Sequence, residues 1–554
     1  MCGIALVLSG GGRVVVAPSA AAAAAAADAA AGIQPSDEGK GVTVDELKAA
    51  LRRRGPDSLG CERLRVRADG TILGRDGCDC GVGNGGDVGD TELCFIGATL
   101  QLRGAEPISQ PMVGQSGSVL VYNGEIYGGV HVADDQNDTQ SLLSSLESSC
   151  SCECHALVRD EACPCCGSVG KSVPQILSTI KGPWALIYWQ AAPTVKVMES
   201  GEDNDFSEST NMSYWEELPC GIYSIHLKSL EKSGMRMKEA CVSEVRRHDW
   251  INSSLDELIQ WKRKSIVPTV DDLTSHQNSV GDYCLSQSFR NSTEADKNAA
   301  YKVLIALRES VMLRTNLNRL FQDDLNKLKD DELAPIAILF SGGLDSMILA
   351  ALLDQWRLVE IDTVLTNLKG ESEHVMSLIY PSNTYMDLNI GIALWLAAGG
   401  DGWVDGSICN MQNGCRYKYK STSRVLLVGS GADEQCAGYG RHRTKYRLGG
   451  WVSLDEEMRL DARFPFLDEN VIKTLLEIPL WDIAKLDEPV GKGDKKILRE
   501  VANLLGLKEA ALQPKRAIQF GSRIARESNR KNFGSNRAAN QAYAGSVEIH
   551  QRAR

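Results

Sequence analysis

Apolar positions along the chain follow two regimes. Over roughly the first third they come as short runs at 4–8, 94–102, 118–122 and 184–189, separated by glycine-rich turns, a pattern that predicts strands. A helix is predicted over 43–51, ended by Gly55-Pro56. From 294 to 314 the spacing changes to a helical one, with Val303, Leu304, Leu307 and Val311 on one stripe. A strand is then predicted at 334–340, followed by a glycine turn, an apolar helix at 347–353, and strand-like runs at 358–365 and 424–428. Alternating strands and helices of this kind indicate an α/β arrangement around a parallel sheet, whereas the earlier region is mostly β.

Between these patterned stretches lie three weakly patterned ones. Residues 20–31 are nearly pure alanine without a stripe to bury, and read as an insertion in a surface loop. Residues 191–211 are acidic and polar, and 253–295 lack periodicity. A chain of 554 residues is long enough for two domains with separate cores. With 43% hydrophobic and 24% charged residues it has the composition of a globular protein, and no apolar run is long enough to span a bilayer. A formal net charge of -12 disfavours nucleic acid or an anionic membrane as the main partner, so small molecules are expected. The 17 cysteines follow no secretory pattern at the start of the chain, which predicts mostly reduced thiols and a cytoplasmic location.

Candidate chemistry begins at Cys2. Removal of Met1 would leave its thiol beside a free α-amine, whose pKa of about 7.7–8.0 lets it take the thiol proton and generate a nucleophilic thiolate. A buried cysteine in a first strand is the simpler reading of Met-Cys-Gly alone. Further motifs follow: Arg53-Arg54-Gly55-Pro56-Asp57, then Tyr122-Asn123-Gly124-Glu125-Ile126-Tyr127, then Asn137-Asp138-Thr139. By itself Asn-Gly suggests a hairpin turn. Together, in this order, these segments resemble the class II glutamine amidotransferase domain. That resemblance implies Cys2 as nucleophile, with the Asn123 side chain and the Gly124 N–H as donors to the oxyanion. It also implies Glu125 and Asp138 as contacts for the α-ammonium of glutamine. The family's arginine for the α-carboxylate aligns with Thr99 or Leu100, and the nearby Arg103 is the substitute, since a guanidinium suits bidentate carboxylate binding.

In the second half, Leu339-Phe340-Ser341-Gly342-Gly343-Leu344-Asp345-Ser346 lies between a predicted strand and a predicted helix. Glycines that admit close backbone approach, small hydroxyls and a helix N-terminus suit phosphate, although the Gly-Lys-Ser/Thr of a Walker loop is absent. The loop resembles that of ATP pyrophosphatases. Val428-Gly429-Ser430-Gly431-Ala432-Asp433-Glu434 with Gly438-Tyr439 resembles a second motif of the asparagine-synthetase family, as do Asp461 to Asp468 and Lys495-Lys496-Ile497-Leu498-Arg499. The resemblance implies ATP binding by Leu339, Ser341, Gly342, Gly343, Asp345, Ser346, Gly429 and Lys495. Asp345 and Asp433 are the implied Mg²⁺ ligands, and Lys495 the group that neutralises departing phosphate.

The whole pattern is similar to the asparagine-synthetase-domain branch of that family. It implies an α+β N-terminal nucleophile domain of antiparallel sheets and helices at 2–230, carrying the Ala-rich and Cys-rich insertions. A linker at 231–293, an α/β parallel-sheet ATP-pyrophosphatase domain at 294–530 and a polar tail at 531–554 follow. Implied ligands are glutamine, aspartate and ATP, and a homodimer is compatible with the resemblance. The implied reaction is ATP-dependent amidation of aspartate with ammonia from glutamine. Ser430 stands where the synthetase has a glutamate, and a serine cannot supply that charge, which leaves open a weakly active or inactive homologue acting as a nucleotide- or glutamine-binding scaffold. Cys150, Cys152, Cys154, His155, Cys163, Cys165 and Cys166 have ligand types that suit a structural zinc. Their Cys-x-Cys spacing and polar, Ser-rich setting favour a loop of reduced thiols instead.

Overall fold

The computed structural model describes residues 3–10, 13–18, 44–66, 72–77, 91–149, 171–190, 221–230, 239–248, 251–252, 257–258, 262–268, 299–316, 334–353, 357–363, 365–379, 384–405, 416–458, 465–515 and 518–525. The chain divides into two compact units, one comprising 1–259 with 318–326, the other 260–317 with 327–554. Among the described residues they hold antiparallel sheets, one parallel strand pair and helices.

The first unit opens with β1 (Gly3–Gly10) and β2 (Arg13–Pro18), followed by α1 (Val44–Arg52), β3 (Ser58–Val66), β4 (Ile72–Gly77) and β5 (Thr91–Thr99). Its strands form a five-stranded sheet in the order β2-β1-β5-β3-β4, antiparallel throughout. A second antiparallel sheet contains β6 (Met112–Val113), β7 (Val119–Gly124) and β8 (Trp184–Trp189). Between β7 and β8 the chain forms α2 (Asp138–Glu147) and α3 (Val173–Thr179).

Alternation along the strands dictates the layering, because successive side chains face opposite sides of a sheet. Ile4, Leu93 and Phe95 meet Val119 and Val121 in a core between the two sheets. Their neighbours Ala5, Val7, Cys94, Ile96 and Ala98 face the other way, onto Leu47 and Leu51 of α1. Beyond the second sheet, Leu120 and Tyr122 pack on Leu142 and Leu146 of α2 and Leu177 of α3. The unit is thus four layers deep: helix, sheet, sheet, helix. A further antiparallel pair, β9 (Ile222–Leu230) and β10 (Glu239–His248), carries a bulge between Val242 and Glu244, and β11 (Ile251–Asn252) pairs with β12 (Glu257–Leu258). Three of these four strands lie inside 231–293, where the sequence shows no strand pattern.

The second unit begins its regular structure with α4 (Ala299–Thr315), near the expected 294–314. Next come β13 (Ile336–Ile338) and α5 (Leu344–Ala351), then α6 (Leu365–Ile379) and α7 (Tyr385–Gly399), the hairpin pair β14 (Asp401–Asp405) and β15 (Arg416–Lys420), and β16 (Val425–Leu427). The helices that follow are α8 (Ala432–Gln435), α9 (Gly440–Met458), α10 (Glu469–Glu477), α11 (Leu480–Ile483), α12 (Lys496–Leu504), α13 (Lys508–Leu512) and α14 (Ile518–Gly521). One core unites Val303 and Leu307 of α4, Ile348 of α5, Leu427 of β16, Leu475 of α10 and Ile497 of α12. A smaller cluster joins Val375, Leu388, Ile392 and Ile524.

β13 and β16 pair in parallel, Ile336 opposite Val425 and Ile338 opposite Leu427. Both therefore point their carboxyl ends, and the loops that follow them, to one edge. The strand expected at 358–365 is corrected: Glu360 makes a single bridge to Trp403, and Leu365 already begins α6. With only that bridge to join among the described residues, β-branched Val359 and Ile361 have no ladder to realise their propensity. No helix among the described residues is long and apolar enough to cross a membrane.

Candidate functional site

In the first unit, Asn123 and Gly124 end β7 opposite Ala185 and Trp184 of β8. They are strand residues rather than a hairpin turn, and the pairing continues past them. The Glu125 N–H donates to the Pro183 carbonyl at 3.0 Å and the Tyr127 N–H to that of Lys181 at 2.8 Å. A Cβ on Gly124 would lie 2.4 Å from the Pro183 oxygen, so this close approach of two strands needs glycine. The Arg-Gly-Pro-Asp turn is docked on the neighbouring sheet: the Asp57 N–H donates to the Thr99 carbonyl, and its carboxylate accepts from the Gln101 N–H at 2.7 Å.

Arg103, 5% exposed, brings the expected glutamine contacts together. Its Nη1 donates to the Ile126 carbonyl at 2.8 Å and to Asp138 Oδ1 at 3.2 Å, while Nη2 donates to Glu125 Oε2 at 3.3 Å. Asp138 is presented by the start of α2, where the Asn137 side chain accepts from the Thr139 N–H and donates to the Arg103 carbonyl. The other Asp138 oxygen accepts from the Ile126 N–H at 2.7 Å. Burial pushes the Asp138 carboxyl up to about 6, against the pull of Arg103 and the Ile126 N–H. For Arg103 burial acts downward, but Asp138 and Glu125 outweigh it. Two carboxylates and one guanidinium can receive the ammonium and carboxylate of an α-amino acid. Cys2 and the cysteine cluster at 150–166 lie outside the described residues. Among the described residues no group of three or more His, Cys, Asp or Glu side chains could hold a metal ion.

The second site forms where the loops after β13 and β16 meet. The Leu339 N–H donates to the Leu427 carbonyl at 2.9 Å, extending the ladder into the glycine loop. There Gly342 adopts φ +72, the Ser346 hydroxyl donates to the Gly343 carbonyl at 2.9 Å, and Gly343 caps α5. A Cβ on Gly429 would come 2.9 Å from the Asp345 Cβ, so the second loop packs directly against the first.

Lys495 ties the loops to the downstream helices. Its Nζ lies 2.8 and 2.6 Å from the two oxygens of Asp345 and 2.7 Å from Asp433 Oδ1, the last contact outside good hydrogen-bond geometry. Its backbone takes φ 52 at the head of α12, an uncommon conformation for a side-chain-bearing residue, and its N–H donates to the Cys436 carbonyl at 3.0 Å. The preceding Asp494 is clamped by the Arg499 guanidinium at 2.6 Å and the Gly491 N–H at 2.6 Å. Leu339, Ser341, Gly342, Gly343 and Gly429 of the loops thus adjoin Asp345, Ser346, Asp433 and Lys495 at the starts of the helices that follow. The expected segment ending in Asp468 is structural where it is described: its carboxylate caps α10 and accepts from Arg314 at 2.9 Å.

Sequence reasoning missed Lys515. Its Nζ lies 2.9 Å from Asp433 Oδ2 and 3.7 Å from the centre of the Tyr439 ring, while the Tyr439 hydroxyl donates to Glu434. Only its place after Pro514, inside the region of resemblance, hinted at it. Burial opposes ionisation of Asp433, but Lys495 and Lys515 outweigh it and hold the carboxyl below its ordinary value. Lys495 is raised because its two carboxylates outweigh burial, whereas burial lowers Lys515. All four oxygens of Asp345 and Asp433 face an ammonium. A Mg²⁺ ion needs oxygen at about 2.0–2.1 Å, so this arrangement does not fit it without displacing a lysine.

No family model matches the chain. It is 28% identical to the mouse (Mus musculus) protein named asparagine synthetase domain-containing protein 1, over 79% of this chain and 91% of the relative. The chicken (Gallus gallus) protein of the same name is 26% identical over 87% of this chain and 94% of its own. A Methanocaldococcus jannaschii protein named putative asparagine synthetase [glutamine-hydrolyzing] 1 is 30% identical, over 18% of this chain and 27% of its own. Over most of its length, the chain is a homologue of the asparagine synthetase domain-containing proteins.

Proposed function

We propose that the chain is a glutamine-dependent amidotransferase that makes asparagine from aspartate at the expense of ATP. The observation that carries this reading is the meeting of two loops at the carboxyl ends of parallel strands, around Asp345, Asp433, Lys495 and Lys515. Nucleotides bind characteristically at such strand ends in α/β sheets. The Arg103–Glu125–Asp138 cluster supports an α-amino-acid site in the other unit.

In this mechanism the α-amine of Cys2 takes the thiol proton, and the thiolate attacks the glutamine amide carbon. The Asn123 side chain and the Gly124 N–H donate to the oxyanion; each such fixed donor contributes about 3–4 kcal/mol in comparable sites. Collapse expels ammonia, and water hydrolyses the thioester to glutamate. At the second site an aspartate side-chain oxygen attacks the α-phosphorus of ATP, and pyrophosphate leaves with its charge balanced by Lys495 and Lys515. Ammonia then attacks the activated carbonyl carbon, AMP departs, and the nitrogen loses its proton to solvent. ATP and aspartate are substrates here.

Ser430 supports a second reading. It is exposed and uncharged, and Glu434, which follows Asp433 in α8, is engaged by Tyr439. A homologue that binds its ligands but turns over weakly fits those facts. Glutamate formation from glutamine and pyrophosphate release by the full chain with Cys2 at its N-terminus, each measured with and without aspartate, separate the two. Aspartate-stimulated release supports the synthetase. Glutamate formation without it leaves only a glutaminase, and silence in both assays favours the scaffold.

A further inference from the structure

The lysines at the second site do more than await phosphate: they already occupy the oxygens that a divalent cation would need. Lys495 spans both oxygens of Asp345 and reaches Asp433 Oδ1, and Lys515 covers Asp433 Oδ2. Two carboxylates and two ammonium groups leave no net charge to attract a cation. The pair is also asymmetric. The Lys495 side chain is 2% exposed, fixed by three carboxylate oxygens and by a clamped backbone. Lys515, 20% exposed, has one carboxylate contact and the face of Tyr439. A polyphosphate arriving over the glycine loop competes with Asp433 for Lys515 far more readily than with the two carboxylates for Lys495.

We propose that Lys515 blocks metal entry, so that Asp433 Oδ2 opens to a divalent cation only after a nucleotide polyphosphate has drawn Lys515 away. This rests on the reading of the loop as a nucleotide site. Metal and nucleotide then bind with positive coupling, and Lys515 gates the metal in addition to balancing the charge of the departing pyrophosphate. Its removal has an effect that mere structural damage would not produce, a gain of metal affinity in the absence of nucleotide.

The test uses the full chain and Mn²⁺, followed by the loss of the free-ion paramagnetic resonance signal. The expected results are no bound Mn²⁺ in wild type at concentrations up to about 1 mM, and affinity at least about ten-fold higher in Lys515→Met, abolished again by adding Asp433→Asn. Binding of Mn²⁺ by nucleotide-free wild type, lost in Asp433→Asn, overturns the proposal without any need of the lysine variant. So does a Lys515→Met protein with wild-type thermal unfolding and no gained site; if that variant does not fold, Lys515→Gln takes its place. A parallel dialysis of labelled ATP, with and without metal, separates the premise from the inference. No ATP binding in either condition overturns the nucleotide reading, whereas metal bound by wild type alone overturns only the block.

Discussion

Asp138 is ionised where an amino-acid ammonium needs it only above about pH 6, because burial raises its carboxyl to that value. Arg103, Glu125 and Tyr122 are the charged and titratable groups that act on it, with Tyr127 next to Arg103 and Glu125. Below about pH 6 the KM for glutamine should rise by roughly ten-fold per pH unit, and Asp138→Asn should remove this dependence while weakening glutamine binding throughout. The linkage to stability has the opposite direction. The folded chain keeps this proton up to about 6, while the unfolded chain releases it near 3.8, so proton binding assists folding in acid and the assistance is lost as pH rises through about 6. The amount is about 3 kcal/mol. Denaturant unfolding of wild type against Asp138→Asn across that range measures it; a difference independent of pH would show that burial does not control this carboxyl.

Gly438 offers a second residue-scale test. A Cβ there would stand 1.9 Å from Asp433 Oδ1 and 2.4 Å from the Lys495 Cε. Gly438→Ala should cost about 1–3 kcal/mol of stability and weaken ATP binding, since the added methyl must push the charged pair apart. Unchanged ATP affinity would mean that the lysine–carboxylate contacts do not set the site.

At the scale of elements, the segment 262–268 is pinned to the helical core by Arg263. Its Nε donates to Asp455 Oδ1 of α9 at 3.1 Å and its Nη1 to the Leu475 carbonyl of α10 at 2.7 Å. Both partners of the ion pair are almost completely buried. Removing one side leaves an uncompensated charge, so Arg263→Ala should destabilise by about 3–5 kcal/mol, and Arg263→Met with Asp455→Leu should recover most of the loss. Thermal unfolding of the two variants decides. Nothing in the sequence pointed to this pair, because its members lie far apart in the chain and neither belongs to a motif.

The same distinction explains what was legible elsewhere. β8, β7 and α1 were readable from local alternation and spacing, and the two glycine-rich loops from short contiguous motifs. The region 358–365 misled because its β-branched residues carry strand propensity, while among the described residues only Glu360 bridges to another segment. β10 was missed because it carries Glu244, Arg246 and Arg247 among its apolar residues, with a bulge that breaks alternation. At the sites, Arg103, Glu125 and Asp138 could be named separately, but their mutual contacts depend on how β7 and α2 are placed. Lys515 could not be named at all without the fold that returns it to Asp433.

At the scale of the whole molecule, two compact units carry two kinds of polar cluster, one suited to an α-amino acid and one to polyphosphate. The net charge of -12 belongs to the chain at large, whereas the second site gathers one buried and one partly buried lysine. Paired with Asp345 and Asp433, the two ammonium groups make the site locally neutral within an acidic chain, which lowers the repulsion an anionic ligand meets there. Under the proposed function the two chemistries are coupled, nitrogen released from glutamine ending in asparagine. Transfer of ¹⁵N from amide-labelled glutamine, with ATP and aspartate supplied to the full chain bearing a free Cys2, tests it most directly. The prediction is ¹⁵N-asparagine formed in step with pyrophosphate, lost in Cys2→Ala with glutamine as donor but retained with added ammonia. Labelled ammonia accumulating without labelled asparagine, or no release of label from a folded chain, would contradict it.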